Sequence, residues 1–139
     1  MPLCIFYAII HLKVGDNMKR KIIINIIPFV FWLLWFYCEI NSIIPYYMSM
    51  IIQILLLLCL PLVFTILNFL VEKSEKSFLK YNIVSCSSHI LGYYLRGLLY
   101  YCFISDDPET LLVVNLLSFL SLLVSVLLTG ICYVVKKYF

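Results

Sequence analysis

The sequence predicts an all-α integral membrane protein, an antiparallel four-helix transmembrane bundle with both termini inside. Composition is the first reason. Of 139 residues, 65% are hydrophobic and 12% are charged, and the mean hydropathy is +1.08. Soluble domains are about half apolar and a quarter charged. A chain this short cannot hide so much apolar surface from water, so lipid is the expected solvent. The second reason is spacing, because four long apolar stretches alternate with short polar connections. The third is charge placement. Nine of the ten Lys and Arg residues lie in the N-terminal segment, in residues 72–80 or in the C-terminal tail. The other two connections carry Glu39, Asp106, Asp107 and Glu109 and no basic residue. The positive-inside rule then puts both termini and residues 72–80 in the cytoplasm. The expected location is the plasma membrane.

Residues 1–17 differ from the rest. The apolar run Leu3–Ile10 is far shorter than the roughly 20 residues that a span requires. It also lacks the basic start and small-residue cleavage site of a secretory signal. The expectation is a dispensable or interfacial extension, with Met18-Lys19-Arg20-Lys21 the form of a natural beginning. Residues 18–139 form the single four-span domain.

Span one is expected over about residues 22–38, with Asn25 and Pro28 in its first turns, where a missing amide costs little. Its second half, Phe31 to Tyr37, is aromatic, as suits rings at the headgroup level. Span two, about 46–71, opens at Pro45. Pro61 should kink it, leaving Gln53, Thr65 and Asn68 to satisfy freed backbone groups or bond neighbours. Leu55–Leu58 is expected to face lipid. Residues 72–80 form the longest hydrophilic connection. Span three, about 81–104, and span four, about 110–135, follow, with Asp107 as N-cap and Pro108 at the first helical position. The two hairpins share orientation and each turns through an acidic loop, a pattern that resembles an internal repeat.

The stretch of most interest is Ser85–Gly97. Ser85, His89, Gly92 and Arg96 recur at helical spacing and share one face. An Arg near the centre of a bilayer costs about 2.5–3.5 kcal/mol on insertion scales, so Arg96 needs a partner. Glu39 is the best carboxylate for it, with Asp106 and Asp107 further along the axis. His89 lies about 10 Å deeper, and its titration near neutral pH would suit a proton relay. A neutral ring bonded to a Ser or Asn of another helix is the plainer reading. On span four, Ser118, Ser121, Ser125 and Thr129 are helix-packing positions, and the last three form a small-xxx-small series. With Gly92 and Gly97, they should let spans three and four approach closely.

Catalytic machinery is not expected. The six cysteines are scattered, without the C-x-x-C spacing that thiol chemistry favours. A membrane thiol oxidoreductase is therefore a remote alternative, although Cys38 and Cys102 could pair near one surface. No catalytic, cofactor-binding or metal residues are assigned, and no cofactor is implied. No basic run suits nucleic acid. The expected function is an accessory, immunity-type or scaffold subunit that acts through its helix faces. Its partners would be the lipid bilayer and either a larger membrane protein or further copies of itself. The alternative is a minimal oligomeric transporter or channel using Glu39, His89 and Arg96.

Overall fold

A computed structural model describes residues 18–139, apart from the side chains of Tyr46 and Tyr47. The expectations for residues 1–17 fall outside the described residues. Those described form four helices: α1 (Met18–Ile40), α2 (Tyr46–Val71), α3 (Glu75–Phe103) and α4 (Pro108–Tyr138). Three segments, Met18–Ile40, Met48–Val71 and Pro108–Tyr138, are long and apolar enough to cross a membrane. Helix α3 is long enough, but it is less apolar because its buried face carries Asn82, Ser85, Ser88, His89 and Arg96.

The helix ends follow local chemistry. Ser42 closes α1 in the left-handed region, with φ of 53°. Its amide donates to the Glu39 carbonyl at 3.0 Å, and the Ile43 amide donates to the Cys38 carbonyl at 3.0 Å. That is a Schellman closure, with Ser at the position where Gly is usual. The Ser74 hydroxyl caps α3 by accepting from the Ser77 amide at 3.1 Å. Asp107 caps α4, accepting from the Glu109 amide at 3.0 Å, with Pro108 following as the sequence leads one to expect.

The helices run up, down, up and down. Helix α3 packs against all three others and most extensively against α1, whereas α1 barely touches α2. The two hairpins are therefore packed differently, and the likeness to an internal repeat stops at the order of the elements. Around this core the surface is apolar. Large side chains such as Ile23, Leu34, Leu55, Leu91, Leu116 and Leu127 point outward.

Several local expectations need correction. Residues 75–80 belong to α3, so the hydrophilic connection is only Glu72 to Ser74. The cause is the Ser74 cap, which starts the helix as soon as α2 ends. Helix α1 begins within the basic segment, so Pro28 lies inside it and is buried. Trp32 belongs to the core and is fully buried, not at a headgroup level. Leu57, within the run assigned to lipid, is buried too, because one face of α2 must meet the core. Gly92 packs on α1 instead of α4. A Cβ there would come within 2.8 Å of the Phe29 Cα and 3.3 Å of the Trp32 Cβ. Gly97 does face α4, where Val114 closes on it. Cys38 and Cys102 are both free thiols.

Candidate functional site: a polar seam ending in a cavity

Polar side chains are buried at both ends of this apolar bundle, on either side of an aromatic and aliphatic middle layer. Helices α1 and α3 run parallel in a constant register, so that residue i of α1 meets i+57 of α3. Asn25, Trp32 and Glu39 recur every seven residues along α1, as Asn82, His89 and Arg96 do along α3. Two turns of helix return a side chain to nearly the same face. Both series therefore point into one seam.

At the basic end, Lys21 pairs with Glu72 at 3.1 Å, and the Ser77 hydroxyl also donates to Glu72. One turn further in lies a cluster drawn from all four helices. Asn68 donates to the side-chain oxygens of Asn25 (2.9 Å) and Asn82 (3.3 Å). Asn82 donates in turn to the hydroxyls of Thr65 (3.2 Å) and Thr129 (2.7 Å). An unsatisfied amide in an apolar medium is costly, so this cluster ties four helices into one register.

The middle layer is aromatic. The Trp32 indole donates to His89 Nδ1 at 3.1 Å, and its ring meets that of Tyr93 edge to face at 5.0 Å. A His that accepts at Nδ1 carries its proton on Nε2 and is the neutral tautomer. Its Nε2 is buried with no partner in hydrogen-bond geometry among the described residues, although the Leu57 carbonyl acts on the ring. That carbonyl is free because Pro61, four residues on, has no amide to give it. The Ser121 hydroxyl donates to it at 3.5 Å. So it is Ser121, and not Gln53, Thr65 or Asn68, that satisfies the group released at the proline.

At the opposite end, Arg96 and Glu39 form a two-pronged ion pair. Arg96 Nε donates to Glu39 Oε2 at 2.7 Å, and Nη2 donates to Oε1. Each side chain is 6% exposed. Glu39 Oε1 also accepts from Gln53 (2.9 Å) and Ser49 (3.2 Å) of α2. The long side chains of Glu39 and Gln53 bridge α1 to α2 where the backbones stand apart. The guanidinium lies over the Tyr100 ring at 5.1 Å and the Tyr93 ring at 5.8 Å. A buried charge is tolerated when it is paired and hydrogen-bonded, and here both partners are.

Beside this pair lies a cavity of about 210 Å³. Its polar wall is Glu39, Ser49, Gln53, Tyr93 and Arg96, and Asp107, Glu109 and Thr110 stand at its exposed rim. Met50, Ile54 and Val113 supply apolar wall.

The structure brings Glu39 and Arg96 together and puts His89 two helical turns deeper on the same seam. Ser85 and Gly92 are buried on that helix as well. His89 bonds a Trp, not a Ser or Asn, and no contact links it to Arg96. Ser118, Ser121 and Ser125 are buried on α4, and Thr129 joins the asparagine cluster. Sequence reasoning missed Asn82, Ser49 and Glu72. The seven-residue recurrence through His89 and Arg96 was the signal that could have found Asn82. Compared with protein-family models, curated proteins and solved structures, the chain matches none.

Proposed function

We propose that this chain is a four-span membrane protein without catalytic machinery, working as an accessory, immunity-type or scaffold subunit. In this reading α3 crosses the plasma membrane as the fourth span, with its polar face turned inward, and both termini are cytoplasmic. One observation carries the reading: the buried polar groups are largely spent on one another, while the outer surface is apolar. Groups engaged in this way hold helices in register. The surface left to a partner is that of the helices in lipid. Helix α1 offers one such face, because α2 and α4 leave Ile23, Ile27, Val30 and Leu34 uncovered.

The test is photo-crosslinking in native membranes, from probes at Leu34 on the uncovered face and at Leu127 on α4. A larger membrane protein captured from Leu34 and co-purified in mild detergent is the expected outcome. Capture of lipid alone at both positions, with no co-purifying protein, would remove the reading.

The cavity beside Arg96 favours a second reading, a minimal oligomeric transporter or channel. In that case Arg96→Ala and His89→Ala chains would insert and assemble normally yet lose solute movement in vesicles. If both variants fail to accumulate, these residues are structural and the transport reading falls.

A further inference from the structure

The carboxamides of the four helices follow one rule, and Asn115 breaks it. Asn25, Gln53, Asn68 and Asn82 are buried, and each is hydrogen-bonded to another side chain. Asn115, on α4, is exposed and makes no hydrogen bond among the described residues. Its neighbour Val114 closes on Gly97, so Asn115 stands at about the depth of Arg96, on the outward side of α4. It lies eight residues beyond the Asp107 cap, or about 12 Å along the axis. A headgroup layer is about 5–7 Å thick, and so short a side chain cannot snorkel back to it as Lys and Arg do. Hydrocarbon offers the carboxamide neither donor nor acceptor. Phe119, Leu122 and Val126 follow Asn115 at i+4, i+7 and i+11, the spacing of one helix face. All three are exposed.

We infer that this face is a homodimer interface, in which the Asn115 carboxamides of two copies bond each other. Copies in one bilayer share one orientation, so a twofold axis along the membrane normal sets each residue opposite itself. A carboxamide carries both donor and acceptor, which makes Asn115 complementary to Asn115. Each amide nitrogen donates to the other copy's carbonyl oxygen, while Phe119, Leu122 and Val126 pack on their own counterparts. No charged residue lies between Glu109 and Lys136, so nothing within the span repels a second copy. A lipid chain would cover the three apolar side chains and leave the carboxamide unbonded. An unlike protein would need a matching polar group at the same depth, which the twofold axis supplies by itself. The inference rests on the proposed passage of α4 through the membrane, not on any larger partner. It uses a different face from Leu34, so the two can fail separately.

The full chain is placed in liposomes as a mixture of copies carrying a donor or an acceptor fluorophore at the C-terminus. Energy transfer is followed as added lipid dilutes the protein. Transfer that saturates at high protein density and falls on dilution, as a monomer–dimer equilibrium requires, is expected. Asn115→Leu should weaken association about three- to thirtyfold, the range for one interhelical polar contact. Its unfolding midpoint in dilute detergent should not fall, because Asn115 bonds nothing within the chain. Asn115→Gln keeps the carboxamide and should keep most of the association. In native membranes, a photo-crosslinker at Leu122 should join two differently tagged copies. One at Leu127, about 140° further round the helix, should not. Transfer that never saturates, full association in Asn115→Leu, or equal yields from Leu122 and Leu127 would each overturn the proposal. So would capture of lipid or of an unlike protein alone from Leu122.

Discussion

Arg96 and Glu39 show what one pair of charges costs and contributes inside an apolar bundle. Two ions taken from water lose several kcal/mol of hydration each, and a close, multiply bonded geometry recovers most of that. Breaking the pair leaves one charge buried alone. Arg96→Ala or Glu39→Ala should therefore destabilise the chain by about 3–5 kcal/mol, read as a lower unfolding midpoint and poor accumulation in membranes. Arg96→Leu combined with Glu39→Leu removes both charges and should recover much of that loss. If the double variant is as unstable as the singles, the pair does not act as one unit. Glu39 could be named as the best counter-ion from topology, because it stands at a helix end on the side nearer Arg96, with Asp106 and Asp107 further along the axis. That Ser49 and Gln53 join it could not, because the separation of α1 from α2 is a property of the packed bundle.

At the scale of elements, glycine separates contact from propensity. Gly92 sits where α1 and α3 approach backbone to backbone, so an added methyl must push Phe29 away. Gly130 meets nothing within 4 Å. Gly92→Ala should lower the unfolding midpoint, by about 1–3 kcal/mol as overpacking generally does. Gly130→Ala should be neutral or stabilising by up to about 1 kcal/mol, because Ala is the better helix former. Thermal unfolding of both variants in one detergent is the check, and equal losses would contradict the close approach. Helix identities and the α4 cap were legible in the residues, since apolar runs and an Asp-Pro-Glu start are local signals. The partner of Gly92 was not, because a helix face indicates that it is buried without indicating against which neighbour.

Across the whole molecule, polarity is arranged with apolar surface outside and a polar seam inside. In the proposed reading, that arrangement lets α3 serve as a fourth crossing despite its composition, because its polar face is covered by the three apolar helices. Reporter fusions test this. A phosphatase that works only outside the cytoplasm should be active when fused after Ser42 or after Asp106, and inactive after Lys73 or Phe139. Activity after Ser42 but not after Asp106 would show that α3 does not cross. The seven-residue series Asn25–Trp32–Glu39 and Asn82–His89–Arg96 becomes meaningful at this scale, once α1 and α3 lie parallel in register.

Composition and charge placement, by themselves, determined that the chain is helical, that its apolar stretches suit lipid and where the chain turns, though not that the second turn is as short as Glu72 to Ser74. Those properties are sums over neighbouring residues, and hydropathy and capping act locally. Tertiary structure alone decided that Trp32 reaches His89, that Ser121 answers the Leu57 carbonyl and that four asparagine and threonine side chains meet around Asn82. It also decided that a cavity opens beside Arg96. Each of these depends on how far apart two helices stand and how each is turned about its axis. Such distances are set by the packing of all four helices at once, and no single stretch of sequence carries them.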